Sequence, residues 1–307
     1  MSTFSPLRIG TRASKLARWQ AEWVAESLKA VAAGRRIELV EITTTGDRVT
    51  NQQLSQLGTT GVFTKEIQRA LLDGQADVAV HSLKDLPTET PSDLWLAAVP
   101  PRAAPRDVLI CREGGGLAGL KPSARVATGS LRRRAQLLHL RSDLEMCDVR
   151  GNVETRLAKL DQGEFDALVL AEAGLTRLGL EDRITEVLDV DRMLPAAGQG
   201  ALGIECRADD AETCALLGQI NHPETECAVR AERAVLAALR AGCHAPVGVY
   251  GHLESDHLSL RAAVLSVEGK TRLEASLSGP PEKAESLGQR VADDLLSQGA
   301  GPLIEQV

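Results

Sequence analysis

Three arginines stand together in Ser130-Leu131-Arg132-Arg133-Arg134, directly after the strand-like run Arg125-Val126-Ala127-Thr128. One unit later Arg150-Gly151-Asn152 and Arg156 repeat the arrangement. A guanidinium is a planar fork of N–H donors that matches carboxylates and phosphates. On a chain of net charge −7 such clustering is local, and it points to a site for a ligand with several acidic groups. Positive side chains in the first turn of a helix work against the helix dipole, which makes them costly as decoration. Anion binding is therefore the reading for Arg132, Arg133, Arg150 and Arg156, whereas Arg134 and Arg141 read as solvated helix faces.

Two further segments carry reactive groups. His81-Ser82-Leu83-Lys84-Asp85-Leu86-Pro87 follows an apolar strand and offers four polar side chains ahead of a proline stop. An ion-paired Lys84–Asp85 turn with His81 bonded inside the fold is an alternative, and for His81 it is at least as good. For Asp85, a carboxylate facing a cleft lined by arginines, a functional role is favoured. Cys243 lies in Ala241-Gly242-Cys243-His244-Ala245-Pro246, after a long helix whose left-handed exit suits Gly242. A helix C-terminus does not lower a thiol pKa. Cys243 is thus suited only to trapping a very reactive electrophile, and on the residues alone a buried structural cysteine is the stronger reading.

The elements that must position these groups alternate in type. Leu7–Gly10, Ile37–Ile42, Asp77–His81 and Leu94–Val99 read as strands. Ser14 caps a helix in which Leu16, Trp19 and Trp23 fall three and four apart. Lys65 to Asp73 is a second helix, closed by Gly74. The polar stretch from Thr43 to Gly61 is too long for an ordinary connection and is a candidate lid. Pro100 to Pro105 reads as a linker or hinge. Beyond it, Val108–Cys111, Arg125–Thr128, Glu145–Val149 and Phe165–Ala171 are strands, with helices near Leu131–Leu140 and Val153–Leu160. Both Ile9-Gly10-Thr11-Arg12-Ala13-Ser14 and Val126-Ala127-Thr128-Gly129-Ser130 read strand, Thr, turn, Ser, helix, as two similar α/β lobes would. In such lobes ligands sit at the carboxyl ends of parallel strands, beside helix N-termini. After Met193-Leu194-Pro195 the chain returns to the first lobe through Ala201–Cys206. A helix from Glu224 to Arg240, antiparallel strands over Val247–Leu253, Leu258–Val267 and Thr271–Leu277, and a helix from Pro281 to Gln298 form a small α+β domain. The expected division is lobe 1 at 1–102 and 198–220, lobe 2 at 103–197, and the C-terminal domain at 221–307.

Composition narrows the function. A chain of 307 residues with 43% hydrophobic content suits two or three globular domains. No run approaches the roughly 18–20 apolar residues of a membrane span. Met1–Arg8 lacks the basic and apolar regions of a secretory signal, so the expected compartment is the cytoplasm. The six cysteines and six histidines show no metal-ligand spacing, so no metal is expected. Aromatic content of 2% and the negative charge disfavour nucleic acid, which single-strand readers bind with stacking platforms and basic grooves. A non-catalytic solute-binding or effector-sensing module on the same two lobes would leave Asp85 and Cys243 without a task.

Together the segments Thr11-Arg12-Ala13-Ser14, His81 to Pro87, Gly129-Ser130-Leu131-Arg132-Arg133, Arg150-Gly151-Asn152, Leu194 to Gly200 and Gly242-Cys243 resemble the porphobilinogen deaminase (hydroxymethylbilane synthase) family over nearly the whole chain. The resemblance implies two lobes of periplasmic-binding-protein type II and a third domain whose Cys243 carries a dipyrromethane cofactor by a thioether. It implies four porphobilinogen molecules added head to tail with loss of ammonia, then hydrolytic release of a linear tetrapyrrole. Asp85 is implied as the catalytic counter-ion to pyrrole N–H groups and to the cation left by ammonia. By position, Lys84, Ser130, Arg132 and Arg133 hold cofactor carboxylates. Arg12, Ser14, Gln20, Arg150, Arg156, Arg177 and Gln199 line the substrate site or its approaches. Lid lysines common among relatives are replaced by Gln56 and Thr60, so lid behaviour does not carry over, and Lys65 or Arg48 would have to take that role. A monomer is implied.

Overall fold

The computed structural model describes residues 5–42, 64–242 and 245–305; the expected lid, including Arg48, Gln56 and Thr60, and Cys243 itself lie outside these. The first stretch forms β1 (Leu7–Thr11), β2 (Ile37–Glu41), β3 (Val78–Ser82) and β4 (Leu94–Ala98). After the proline-rich segment come β5 (Asp107–Cys111), β6 (Arg125–Ala127), β7 (Glu145–Cys147), β8 (Ala167–Ala171) and β9 (Glu186–Leu188). The chain continues with β10 (Leu202–Arg207), β11 (Val247–Glu254), β12 (His257–Leu265) and β13 (Arg272–Gly279).

Two compact units result. One comprises Met1–Arg102 with Ala201–Glu226, the other Ala103–Gly200 with Cys227–Val307. Each holds a five-stranded sheet, β2-β1-β3-β10-β4 in the first and β7-β6-β8-β5-β9 in the second. The two orders are the same. In each, a parallel trio at one side of the sheet is followed by an antiparallel strand, β10 against β3 and β5 against β8. This is the type II periplasmic-binding-protein arrangement implied by the resemblance. The apolar runs already marked these strands apart from the short β9, but not the reversed direction of β5 and β10. A strand buried on both faces reads as a continuous apolar run in either direction.

Helices cover both faces of each sheet. In the first unit Leu7, Ile9, Val78, Val80 and Ile204 pack with Val24 and Leu28 of the helix Lys15–Lys29, while Ala79 and Leu94 pack with Ile67 and Leu71 of the helix Lys65–Leu72. In the second, Ile110, Leu168 and Leu170 meet Leu157 and Leu160 on one face, and Leu109, Val126 and Val169 meet Leu137 on the other. The helix Lys15–Lys29 turns its buried face one step away from the expected one. Gln20, Ala21, Val24, Ala25 and Leu28 face inward, and the bulky Leu16, Trp19 and Trp23 flank them half-buried. Small alanines permit the close approach to the sheet that tryptophans would prevent.

The C-terminal meander β11-β12-β13 is antiparallel throughout. Its inner face packs Val249, Leu258, Leu260 and Ala262 against Val235 and Leu239, from the helix Pro223–Ala238 and its exit, and against Val291 and Leu295 of the helix Ala284–Ser297. The helix Pro223–Ala238 leaves through Arg240, at φ 51°, with Ala241 N donating to Leu236 O and Arg240 N to Ala237 O. That is a Schellman exit. The left-handed residue is therefore Arg240, two positions before the expected Gly242.

Candidate active site

In the first unit β1 and β3 are parallel neighbours, so their carboxyl ends share one edge of the sheet. Arg12 and Ser14 follow β1 there, and the short 3-10 turn Leu83–Asp85 follows β3. Ser14 caps its helix by accepting from Ala17 N at 3.3 Å. Gln20, buried on the next turn, donates Nε2 to Ser82 Oγ at 2.8 Å and so ties the helix to the end of β3. Asp85 is exposed on the turn and Lys84 is half-buried beside it. An exposed carboxylate on a turn fixed by Leu83 N donating to Ala201 O (3.0 Å) is held in place at its backbone and open at its side chain.

His81 faces the other way. It is buried, with Nε2 3.0 Å from Glu205 Oε2 but without the alignment of a hydrogen bond. Gln68 Nε2 donates to both Glu205 oxygens, at 3.2 and 3.1 Å. His81 thus lies inside the fold in a polar cluster, as the alternative reading held for its position, although Nε2 is not hydrogen-bonded there.

In the second unit the same local design recurs at the ends of β6 and β7. Ser130 caps the helix Leu131–Leu140, accepting from Arg133 N at 3.4 Å, and Asn152 caps the helix Val153–Asp161, accepting from Thr155 N at 2.8 Å. Both preceding turns need glycine. A Cβ on Gly129 would lie 2.9 Å from Val149 O, and Gly151 has φ +114° with Thr155 side-chain atoms 2.8 Å from a Cβ. Arg150 is exposed on this second turn, and Arg156 donates Nε to Gly151 O at 2.7 Å. Arg177 donates Nη2 to Gly200 O at 2.7 Å, and burial pushes its pKa down to about 10. Loss of water around a cation is the condition that favours an incoming anion.

Arg132 and Arg133 are not solvent-facing forks. Both are buried, and both grip Asp107, the first residue of β5. Arg132 Nη1 reaches Asp107 Oδ2 at 2.6 Å and also donates to Leu194 O at 2.7 Å. Arg133 meets Asp107 Oδ1 through Nε at 2.9 Å and Nη2 at 2.8 Å, and donates Nη1 to Val169 O at 3.1 Å. Gln199, also fully buried, donates Nε2 to Asp107 Oδ1 at 2.9 Å and to Pro105 O at 2.6 Å. Burial alone would raise the Asp107 pKa. The charges of Arg132 and Arg133, with the hydrogen bonds from Arg132 and Gln199, overturn that and hold it well below the usual carboxylate range.

Asp107 is not among the residues that the sequence pattern singles out. The available signal was a lone acid heading an otherwise apolar strand. Arg134 is half-buried and Arg141 donates to Leu117 O, Leu120 O and Asp143, so neither is the solvated helix face expected.

After these bonds, Arg132 Nε and Nη2 have no acceptor among the described residues. A guanidinium edge of this kind beside a serine-capped helix start suits a carboxylate or phosphate group. Among the described residues no cluster of His, Cys, Asp and Glu is placed to hold a metal, and no helix is long and apolar enough to cross a membrane.

Comparison with known proteins agrees in sequence and extent. Residues 7–215 match the family model described as porphobilinogen deaminase, dipyromethane cofactor binding domain, and residues 226–297 match its C-terminal domain. The chain is 48% identical over 301 residues to a porphobilinogen deaminase of Pelobacter propionicus, covering 98% of this chain and 97% of that one. It is 49% identical over 304 residues to a porphobilinogen deaminase of Chlorobaculum tepidum, again over 98% and 97%. Among solved structures, a methionine-binding lipoprotein of Bacillus subtilis, itself a putative assignment, aligns at 13% identity and a TM-score of 0.45, covering 71% of this chain and 90% of that one. Matched by family models over both its parts and by relatives over almost its whole length, the chain belongs to the porphobilinogen deaminase family.

Proposed function

We propose that the protein is a hydroxymethylbilane synthase, joining four porphobilinogen molecules head to tail with loss of ammonia and releasing the linear tetrapyrrole by hydrolysis. The observation that carries the reading is the buried arginine pair beside the capped helix at Ser130, a site for carboxylates on an otherwise acidic chain. A dipyrromethane, when bound through Cys243, supplies the pyrrole carbon on which the product is built. Ser130, Arg132, Arg133 and Lys84 hold its carboxylates. Lobe 1 is residues 1–102 and 198–220, lobe 2 is 103–197, and the cofactor-bearing domain is 221–307.

Porphobilinogen loses ammonia with help from its own pyrrole nitrogen, and the remaining methylene carries positive charge. Asp85 is the group for that charge. Its exposed carboxylate pairs with the developing cation, accepts the pyrrole N–H and takes the proton shed by the attacked ring carbon. Arg12, Ser14, Gln20, Arg150, Arg156, Arg177 and Gln199 line the site of the incoming pyrroles or its approaches, the arginines binding their acetates and propionates. The enzyme works as a cytoplasmic monomer, without metal or nucleic acid.

Intact mass tests the reading. The purified protein is expected to exceed its sequence mass by one dipyrromethane, and Cys243→Ser to remove the excess. An unmodified mass in active preparations refutes the covalent attachment.

A further inference from the structure

We propose that Asp107 is the positioning residue of the anion site: it fixes the guanidiniums of Arg132 and Arg133 before any ligand arrives and turns one edge of Arg132 outward. This rests on the reading of Arg132 as a ligand for cofactor carboxylates.

Asp107 is completely buried, and four donors from three side chains converge on its two oxygens: Arg132 Nη1, Arg133 Nε and Nη2, and Gln199 Nε2. A carboxylate in that position is expensive to desolvate, and a whole buried ion cluster of this kind can often be replaced by apolar residues without loss of stability. The neighbouring residues of β5, Val108 to Ile110, are the apolar alternative. What Asp107 supplies is orientation. An arginine free in solution must give up rotamer freedom when it grips an anion, and one already clamped does not.

The division of donors shows which guanidinium faces the ligand. Asp107 and Leu194 O both draw on Arg132 Nη1, and Arg132 Nε and Nη2 have no acceptor among the described residues. Asp107 instead takes Arg133 along its Nε–Nη2 edge while Val169 O takes Nη1. Arg133 is therefore the more fully engaged of the two guanidiniums, and Arg132 presents the more open edge. The charges fit the same division: two cations and one anion leave a single positive charge, which one incoming carboxylate neutralises.

The test is Asp107→Asn in the full chain, read by intact mass for dipyrromethane occupancy. Thermal midpoints are measured for this variant and for Asp107→Asn combined with Cys243→Ser, which cannot load. The expected result is roughly tenfold lower occupancy, the scale of effect carried by groups that support a ligand shell. The stability gained on loading should shrink with it. Full occupancy with loaded and unloaded forms destabilised equally would show a merely structural acid and overturn the proposal. If Asp107→Asn does not accumulate folded, Asp107→Glu carries the test, because it keeps the charge but displaces it by one methylene. Reduced occupancy there supports the proposal, and normal occupancy with an unchanged loading increment overturns it. Arg132→Lys separates this proposal from the reading beneath it. If Arg132→Lys loads normally, Arg132 is not the ligand and the reading fails. If it loads poorly while Asp107→Asn loads normally, only the role of Asp107 fails.

Discussion

Asp85 and Asp107 show how differently two carboxylates of one chain are held. Asp85 is exposed on a turn, whereas Asp107 is sealed among cations. Asp85→Asn is expected to leave the fold and the bound cofactor intact and to slow porphobilinogen consumption by about 10²–10⁴-fold, the usual contribution of a positioned acid or base. Near-normal turnover at full occupancy would refute the role. For Asp107 the prediction concerns acid. Its folded pKa lies below the unfolded one, so its stabilising share is complete at neutral pH and is lost progressively as pH falls from the unfolded value through the folded one. The gap in urea midpoint between the native chain and Asp107→Asn is therefore expected to stay constant from pH 8 to about 5 and to narrow only below about pH 4. A gap that closes near pH 6 would assign the effect to another group. Sequence alone exposed Asp85, because a turn ahead of a proline displays its residues. It hid Asp107, because a buried ion pair joins β5 to the helix Leu131–Leu140 across more than twenty positions of chain.

The elements around the site are built from one repeated device: a strand, a tight turn, a capping side chain and a helix. Ser14, Ser130 and Asn152 all cap in this way. The echo between the two lobes was legible because it depends on local chemistry. Which face the helix Lys15–Lys29 buries was not, because the sheet decides it. Ser130→Ala is expected to cost about 1 kcal/mol in urea unfolding. Ser130→Asp should retain the cap yet lower cofactor occupancy, since it puts a carboxylate among the arginines; unchanged mass in that variant would show that Ser130 serves only the helix. Gly129→Ala meets a carbonyl oxygen 2.9 Å away that belongs to the backbone, so a loss of about 1–3 kcal/mol is expected. An unaltered urea midpoint would mean that the turn relaxes freely.

At the scale of the molecule, the two sheets share an order but not a history. All strands of β7-β6-β8-β5-β9 come from one continuous stretch, whereas β10 reaches the other sheet only after that stretch ends. In the first sheet β4 is bonded to β10 alone. Residues 1–102 expressed alone are therefore expected to lack a cooperative thermal transition, and joining them to 201–226 by a short linker should restore one. A cooperative transition in the shorter fragment would show that β10 is dispensable. The interruption also matters on the ribosome. About 100 residues separate the end of β4 from the start of β10, roughly 5–20 seconds of synthesis. Throughout that interval the open edge of β3 is a template for any passing strand. The nascent chain thus has a window of vulnerability that the finished enzyme no longer shows, and it is there that a chaperone would find something to hold.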